Sequence, residues 1–286
     1  SADSGFLLGS QLANDTSVAA QGVLHAEHIG QALKQLHNLR MQLAPLLFSY
    51  SYVHNEQYYI VLQNAVGLDD EISQYVMEIY SAAFYQILKK VADEYDLAVV
   101  SEIVNPADIE PALEYIDVIQ IGARNMQNFE LLKAIGRQQH YPALLKRGFG
   151  ITLNESLNAA EYLASEGNTQ VIFCLRGMKS DFGSPHRNMV DFAQIPAVKR
   201  LTRMPVCIDP SHSVGTREHS PDKVMDIAHA TAQGVIAGAN MVLVDFHPHP
   251  TKALVDGPQA LLLDELPKFL EDIAISREAY ERRRAL

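Results

Sequence analysis

Short β-prone apolar runs alternate with longer segments that carry apolar residues at helical spacing, most regularly from residue 97 onward. The pattern predicts strands near 97–104, 118–122, 142–146, 170–175, 205–209 and 240–246. Helices are predicted near 107–115, 127–136, 155–165, 190–201, 221–236 and 258–273. Earlier in the chain, 6–9 is a plausible first strand. Residues 17–43 then place Val23, Leu24, Ile29, Leu33, Leu36, Leu39 and Leu43 on a helix that stops before Pro45. Leu46 to Tyr52 alternates in its second half and predicts a second strand. Residues 53–70 read as a long connection holding a short strand at 58–62, and a helix is expected from about 69 to 94. Eight strands, each followed by a helix and with no linker or shift in composition between them, predict an α/β fold. The expected form is a single (β/α)8 TIM barrel spanning 1–286 as one domain. A doubly wound open sheet would be expected to carry a glycine-rich phosphate loop after its first strand, and Gly9-Ser10-Gln11 is not one.

Composition narrows the function more than the fold. A formal net charge of −11 over 286 residues argues against nucleic acid and anionic membranes as partners. An anionic substrate would therefore need a local basic pocket. Cys174 and Cys207 are the two cysteines; both lie in apolar runs and read as reduced core residues, which with the absence of a signal-peptide pattern or a membrane-length apolar run points to the cytoplasm.

Three predicted strands end in positive charge. Val118-Ile119-Gln120-Ile121 runs into Gly122-Ala123-Arg124, Ala143-Leu144-Leu145 into Lys146-Arg147, and Val171 to Leu175 into Arg176. Gly122 and Ala123 let a ligand approach the backbone, so amides and guanidinium can hold one anion together. At one pole of a parallel barrel these ends form a pocket for a phosphorylated acid; unrelated surface cations are the competing reading. The seventh strand ends in Asp209-Pro210-Ser211-His212 and the eighth in Asp245-Phe246-His247, with Asp256-Gly257-Pro258-Gln259 one loop later. His212, Asp245 and Asp256 suit a divalent metal, although a lone histidine past a strand is commonly structural and Asp256 before Gly257 also suits a turn. His25 and His28 at i, i+3 lack accompanying carboxylates or thiols and read as a solvated helix face.

Taken together, Gln120 to Asn128, Leu144 to Gly148, Asp209 to His212 and Asp256 to Gln259 resemble 3-deoxy-D-arabino-heptulosonate 7-phosphate (DAHP) synthase. The similarity is to the shorter type I beta branch, itself related to ketodeoxyoctulosonate phosphate synthase, and it runs nearly continuously from about 97 to 265. The resemblance implies a (β/α)8 barrel that condenses phosphoenolpyruvate with an aldose phosphate, using a divalent metal such as Mn, Fe, Co, Zn or Mg. It assigns Arg124, Lys146, Arg147 and Arg176 to phosphoenolpyruvate, with help from the amide of Ala123. It places His212, Asp245 and Asp256 at metal-ligand positions, gives Lys146 and His212 catalytic roles, and implies a homo-oligomer, a dimer or tetramer.

The N-terminal third departs from that pattern. Where the family's first strand ends in Gly-Pro-Cys, with a metal-binding thiolate, element order places Gly9-Ser10-Gln11, so Gln11 would offer a weaker neutral ligand. The family's Lys-Pro-Arg-Thr, which contacts both substrates, is replaced by the stretch from Ser49 to Asn55, which has no fixed cation. The family's eighth-strand Glu is Asp245, and Leu175 stands where a Glu precedes Arg176. The expected function is therefore a DAHP synthase-like transferase joining phosphoenolpyruvate, or a close relative, to a carbonyl compound other than the usual aldose phosphate. Its metal site would be weakened or lost, and Tyr50, Tyr52 and His54 would reshape the electrophile subsite. The alternative is a homologue without catalysis that keeps an anion site in a regulatory or structural role. A metal-free reaction with His212 or His54 as general base ranks last.

Overall fold

The computed structural model describes residues 86, 89–90, 92–180, 185–253 and 255–286, and the backbone of 47–54 and 57–64. Gln11, the strand expected at 6–9 and the helix expected at 17–43 lie outside the described residues. Two compact units are present. One contains the described segments up to Val99 with Glu110–Asp117; the other contains Val100–Ile109 and Val118–Leu286.

In the first unit, β1 (Leu47–His54) pairs antiparallel with β2 (Gln57–Asn64), from His54↔Gln57 to Leu47↔Asn64. The alternation at 46–52 therefore does mark a strand, but its partner is this neighbour and not a parallel barrel strand. Only two residues separate His54 from Gln57, so the antiparallel closure is short, whereas a parallel partner needs a crossover of about a dozen residues or more. The side chains of Tyr50, Tyr52 and His54 lie outside the description.

The second unit carries β3 (Val100–Glu102), β4 (Val118–Ile121), β5 (Ala143–Lys146), β6 (Val171–Leu175), β7 (Val206–Ile208) and β8 (Met241–Val242) in one parallel sheet, in chain order. A doubly wound sheet reverses its strand order at a switch point. This one does not, and each strand from β4 to β8 is followed by a helix, as in a (β/α) barrel.

Local sequence explains where the helices begin. Asn128 accepts a bond from the amide of Leu131 to open Phe129–Gly136. Thr152 and Glu155 cap Leu153–Ser165 reciprocally, the hydroxyl accepting from one amide at 3.2 Å and the carboxylate from the other at 2.8 Å. The last helix, Leu266–Arg284, starts later and runs further than the apolar pattern predicted. The stretch before it forms a turn at Gly257–Gln259 and a short strand, β10 (Leu261–Leu262), paired parallel with β9 (Phe246–His247). Its polar end is carried by pairs one turn apart, such as Arg277 with Glu281.

Strand alternation divides the sheet into two faces. Ile119, Ile121, Leu145, Phe173, Leu175, Val206 and Ile208 are fully buried on the face that the helices cover. On the other, Leu144, Cys174 and Cys207 pack with Val118, Ile172, Met241 and Leu243. Both thiols are buried and unbridged. Two residues further along the same strands come Lys146, Arg176 and Asp209, so an apolar floor gives way to charge at the carboxyl ends of the strands. Among the described residues no helix is long and apolar enough to cross a membrane.

Candidate active site

That charged layer lines a pocket. Ala123, Arg124, Lys146, Arg176, His212 and Asp256, all singled out from sequence, share it with Glu102, Gly122, Phe149 and Arg187. A larger cavity lies beside β8, lined by Val235, Met241, Phe269 and Ile273 among others. Its lining is mainly apolar with Arg277 as its charged member, so it lacks converging reactive groups and is not the candidate site.

The cations differ in depth. Arg176 is 2% exposed, lies over the ring of Phe149 at 4.5 Å, and leaves Nε and Nη1 without a hydrogen-bond partner. Burial pushes its pKa down, against the pull of Asp209. Lys146 is buried and its Nζ lies 2.6 Å from Oδ2 of fully buried Asp209. That contact is an ion pair without a well-aligned hydrogen bond, since Oδ2 has no geometric hydrogen-bond partner. Burial is the largest single influence on the Lys146 pKa and would lower it; the Asp209 charge and the smaller raising contributions together outweigh it, so the net shift is upward and the ammonium persists at neutral pH. Arg124 and Arg187 stand at the exposed rim.

Arg147, expected beside Lys146 in substrate binding, belongs elsewhere. Its guanidinium donates to Asp191 at 3.0 Å, Gln194 at 2.7 Å and the carbonyl of Ile151 at 3.0 Å. Successive strand residues face opposite ways, and with Lys146 turned to the pocket Arg147 must enter the helix-covered layer. The space that a Cβ on Gly122 would occupy is taken by the Glu102 carboxylate, with Oε1 at 2.0 Å. A carboxylate side chain, as well as any ligand, therefore uses the room that glycine leaves.

His212, Asp245 and Asp256 each offer one donor atom, all within 4.8 Å of one another. Donors about 2.2 Å from one ion lie at most about 4.4 Å apart, so small side-chain movements would close this group on a metal. The histidine is oriented for it. Its Nδ1 lies 3.0 Å from the Asp209 carboxylate and 3.7 Å from that of Asp245, while Nε2 faces Asp256 at 3.6 Å. One imidazole and two carboxylates suit a divalent ion such as Mn, Fe, Zn or Mg, and the side chain of Asp245 is long enough to belong to the set.

Asp209 was not expected as a site residue. It caps the helix Pro210–Val214 through the amide of His212, orients the imidazole and pairs with Lys146. Burial would raise its pKa, but the hydrogen bond from His212 and the Lys146 charge hold it below the usual carboxylate range. Asp256 has a left-handed backbone, φ 54°, followed by Gly257, where a Cβ would sit 2.3 Å from the carbonyl oxygen of Pro250. Gly257→Ala must therefore displace the turn that carries Asp256. The expected result is a loss of about 1–3 kcal/mol in urea denaturation, with weakened Mn2+ binding in calorimetry.

The model of the DAHP synthetase I family matches residues 83–281. A Thermotoga maritima protein named phospho-2-dehydro-3-deoxyheptonate aldolase is 41% identical over 192 residues, 66% of this chain and 54% of that protein. A Pelobacter propionicus 2-dehydro-3-deoxyphosphooctonate aldolase is 33% identical over 193 residues, covering 65% and 68% of the two chains. The crystal structure of the Thermotoga maritima DAHP synthase superposes with a TM-score of 0.63 at 37% identity, covering 68% of this chain and 55% of that one. A truncated form of the same enzyme gives 0.62 at 37% identity, over 68% and 71%. The alignment thus spans about half the length of the first of these relatives. The expected barrel class stands.

Proposed function

The chain belongs to the DAHP synthetase I family, and from that membership we propose a transferase that forms a carbon–carbon bond between phosphoenolpyruvate, or a close relative, and a carbonyl compound. The observation that carries this reading is Arg176: a buried guanidinium with two unpartnered nitrogens, in the same pocket as Arg124, Lys146 and the His212 group. An unsatisfied buried cation is costly, and a small dianion offsets that cost. Phosphate and carboxylate of the ligand would lie between the deep pair, Lys146 and Arg176, and Arg124 at the rim, with the amide of Ala123 assisting. Lys146, held as an ammonium by Asp209, serves as a cation and donor and not as a base.

His212, Asp245 and Asp256 would hold the divalent metal, which when bound supplies polarisation of the carbonyl that is attacked. Asp209 keeps the imidazole of His212 turned toward that position while fixing Lys146 on the anion side. A carbonyl substrate other than the usual aldose phosphate follows from the missing Lys-Pro-Arg motif. Two lost charge-assisted contacts, each about 1.5–3 kcal/mol, weaken a sugar phosphate by several orders of magnitude.

Thermal unfolding with and without phosphoenolpyruvate and Mn2+ tests the reading. At about a hundred times its dissociation constant, a ligand specific for the native state stabilises by roughly 2.7 kcal/mol. The expected stabilisation needs Lys146 and Arg124, is enhanced by Mn2+, and is accompanied by phosphate release with some aldehydes but not with erythrose 4-phosphate. Stabilisation without turnover of any aldehyde would favour an anion-binding barrel with a regulatory role. No stabilisation by phosphoenolpyruvate would refute both.

A further inference from the structure

One pocket cation is not accounted for by this arrangement. The backbone of Arg187 is fixed: its amide donates to the carbonyl of Val214 at 2.8 Å, and that of Asn188 to Ser213 at 2.9 Å. Buried Asn188 also donates its side-chain amide to the carbonyl of His212 at 2.7 Å. Arg187 is thus docked on the turn that bears the candidate metal histidine, and only its side chain is free to choose a partner. Here Nη1 donates to Asp256 at 3.3 Å and to Gln259 at 2.8 Å. Buried Gln259 in turn donates to Asp245 at 2.7 Å. The same guanidinium lines the anion pocket and is near enough to Arg176 to depress its pKa, after burial and against the opposing charge of Asp209.

We infer that Arg187 is the resident counter-cation of the His212, Asp245 and Asp256 group, and that a divalent ion entering the group turns Arg187 over to the anion in the same pocket. This rests on the proposed function for both ligands and adds how they are coupled. A doubly charged ion cancels the attraction that Asp256 exerts on the guanidinium and repels it at short range. The pair is poised for exchange, with the Arg187 and Asp256 side chains 41% and 36% exposed, where ion pairs are weak and readily given up. Once released from Asp256, the guanidinium lines the same pocket as the bound phosphate or carboxylate and can pair with it. Metal and anion then bind cooperatively, and by linkage each tightens the other by the same factor.

Calorimetric titration of Mn2+ into wild type, Arg187→Gln and Arg187→Lys, each with and without phosphoenolpyruvate, tests the inference, with thermal melts checking that the variants fold. Without the anion, Arg187→Gln should bind Mn2+ about two- to fivefold more tightly than wild type, because the competitor is gone. Phosphoenolpyruvate should tighten Mn2+ binding to wild type by at least about fivefold, but to Arg187→Gln by no more than about twofold. Arg187→Lys, which keeps the charge, should retain part of the coupling. Equal or weaker Mn2+ binding by Arg187→Gln, or an undiminished anion effect in it, overturns the inference while leaving the proposed metal site intact. No Mn2+ binding by either protein defeats the metal site itself, and the inference with it.

Discussion

Asp209→Ala is expected to cost about 3–5 kcal/mol of stability, because it leaves Lys146 buried and charged with no counter-ion. Asp209→Asn keeps the shape and the cap acceptor but not the charge, so it should lose most of the same amount. Urea denaturation at neutral pH measures both. The pH dependence identifies the cause. The Asp209 pKa is lowered in the folded protein, so its contribution is complete above the unfolded value of about 3.9 and fades as pH falls through the folded one. The Lys146 pKa is raised, so its contribution is complete below the unfolded value of about 10.4 and fades as pH rises through the folded one. Wild type should therefore show the pair's full contribution across the neutral range, with losses in strong acid and strong base. In Asp209→Asn the acid-side loss should shrink. A variant as stable as wild type, with an unchanged acid limb, would mean that the pair carries no net stability.

Arg176→Met should act in the opposite sense on the ligand-free protein. The guanidinium is 2% exposed and two of its nitrogens are unpartnered, a cost of about 1–3 kcal/mol per unsatisfied group that the stack on Phe149 only partly offsets. Methionine retains much of the volume without the charge, so the apo protein should melt at the same temperature or higher. Phosphoenolpyruvate binding should fall by about 10- to 150-fold, the equivalent of one charge-assisted bond of about 1.5–3 kcal/mol. Melting curves with and without the ligand should therefore cross over, the variant leading without it and wild type leading at saturation. A variant markedly less stable without ligand would show that Arg176 serves the architecture more than the pocket.

Much of this candidate site is legible in the sequence, because its residues sit where a repeating pattern ends. Strand alternation from 97 onward put Arg124, Lys146, Arg176, His212 and Asp245 at carboxyl ends of strands, and the structure gathers them at one pole. Arg147 could have been set aside on the same rule, since a residue next to an inward-facing one on a strand faces out. Asp209 stands at the end of the seventh predicted strand, but its pairing with Lys146 joins positions 63 apart in the chain, which no local spacing encodes. Arg187 and Glu102 lacked a signal of their own, one lying in a loop without periodicity and the other in an unremarked strand end. At 47–54 alternation revealed a strand but not its partner, because pairing depends on chain closure as well as on pattern.

Asp209 also limits how this site can be altered. A single carboxylate sets the imidazole on one side and the ammonium on the other. A change of donor at His212 therefore disturbs Lys146, and a change of charge at Lys146 disturbs His212, with no contact between those two side chains required. Redesign for a different ion or a different acid would have to proceed on both together, replacing the carboxylate's two dependants as a set.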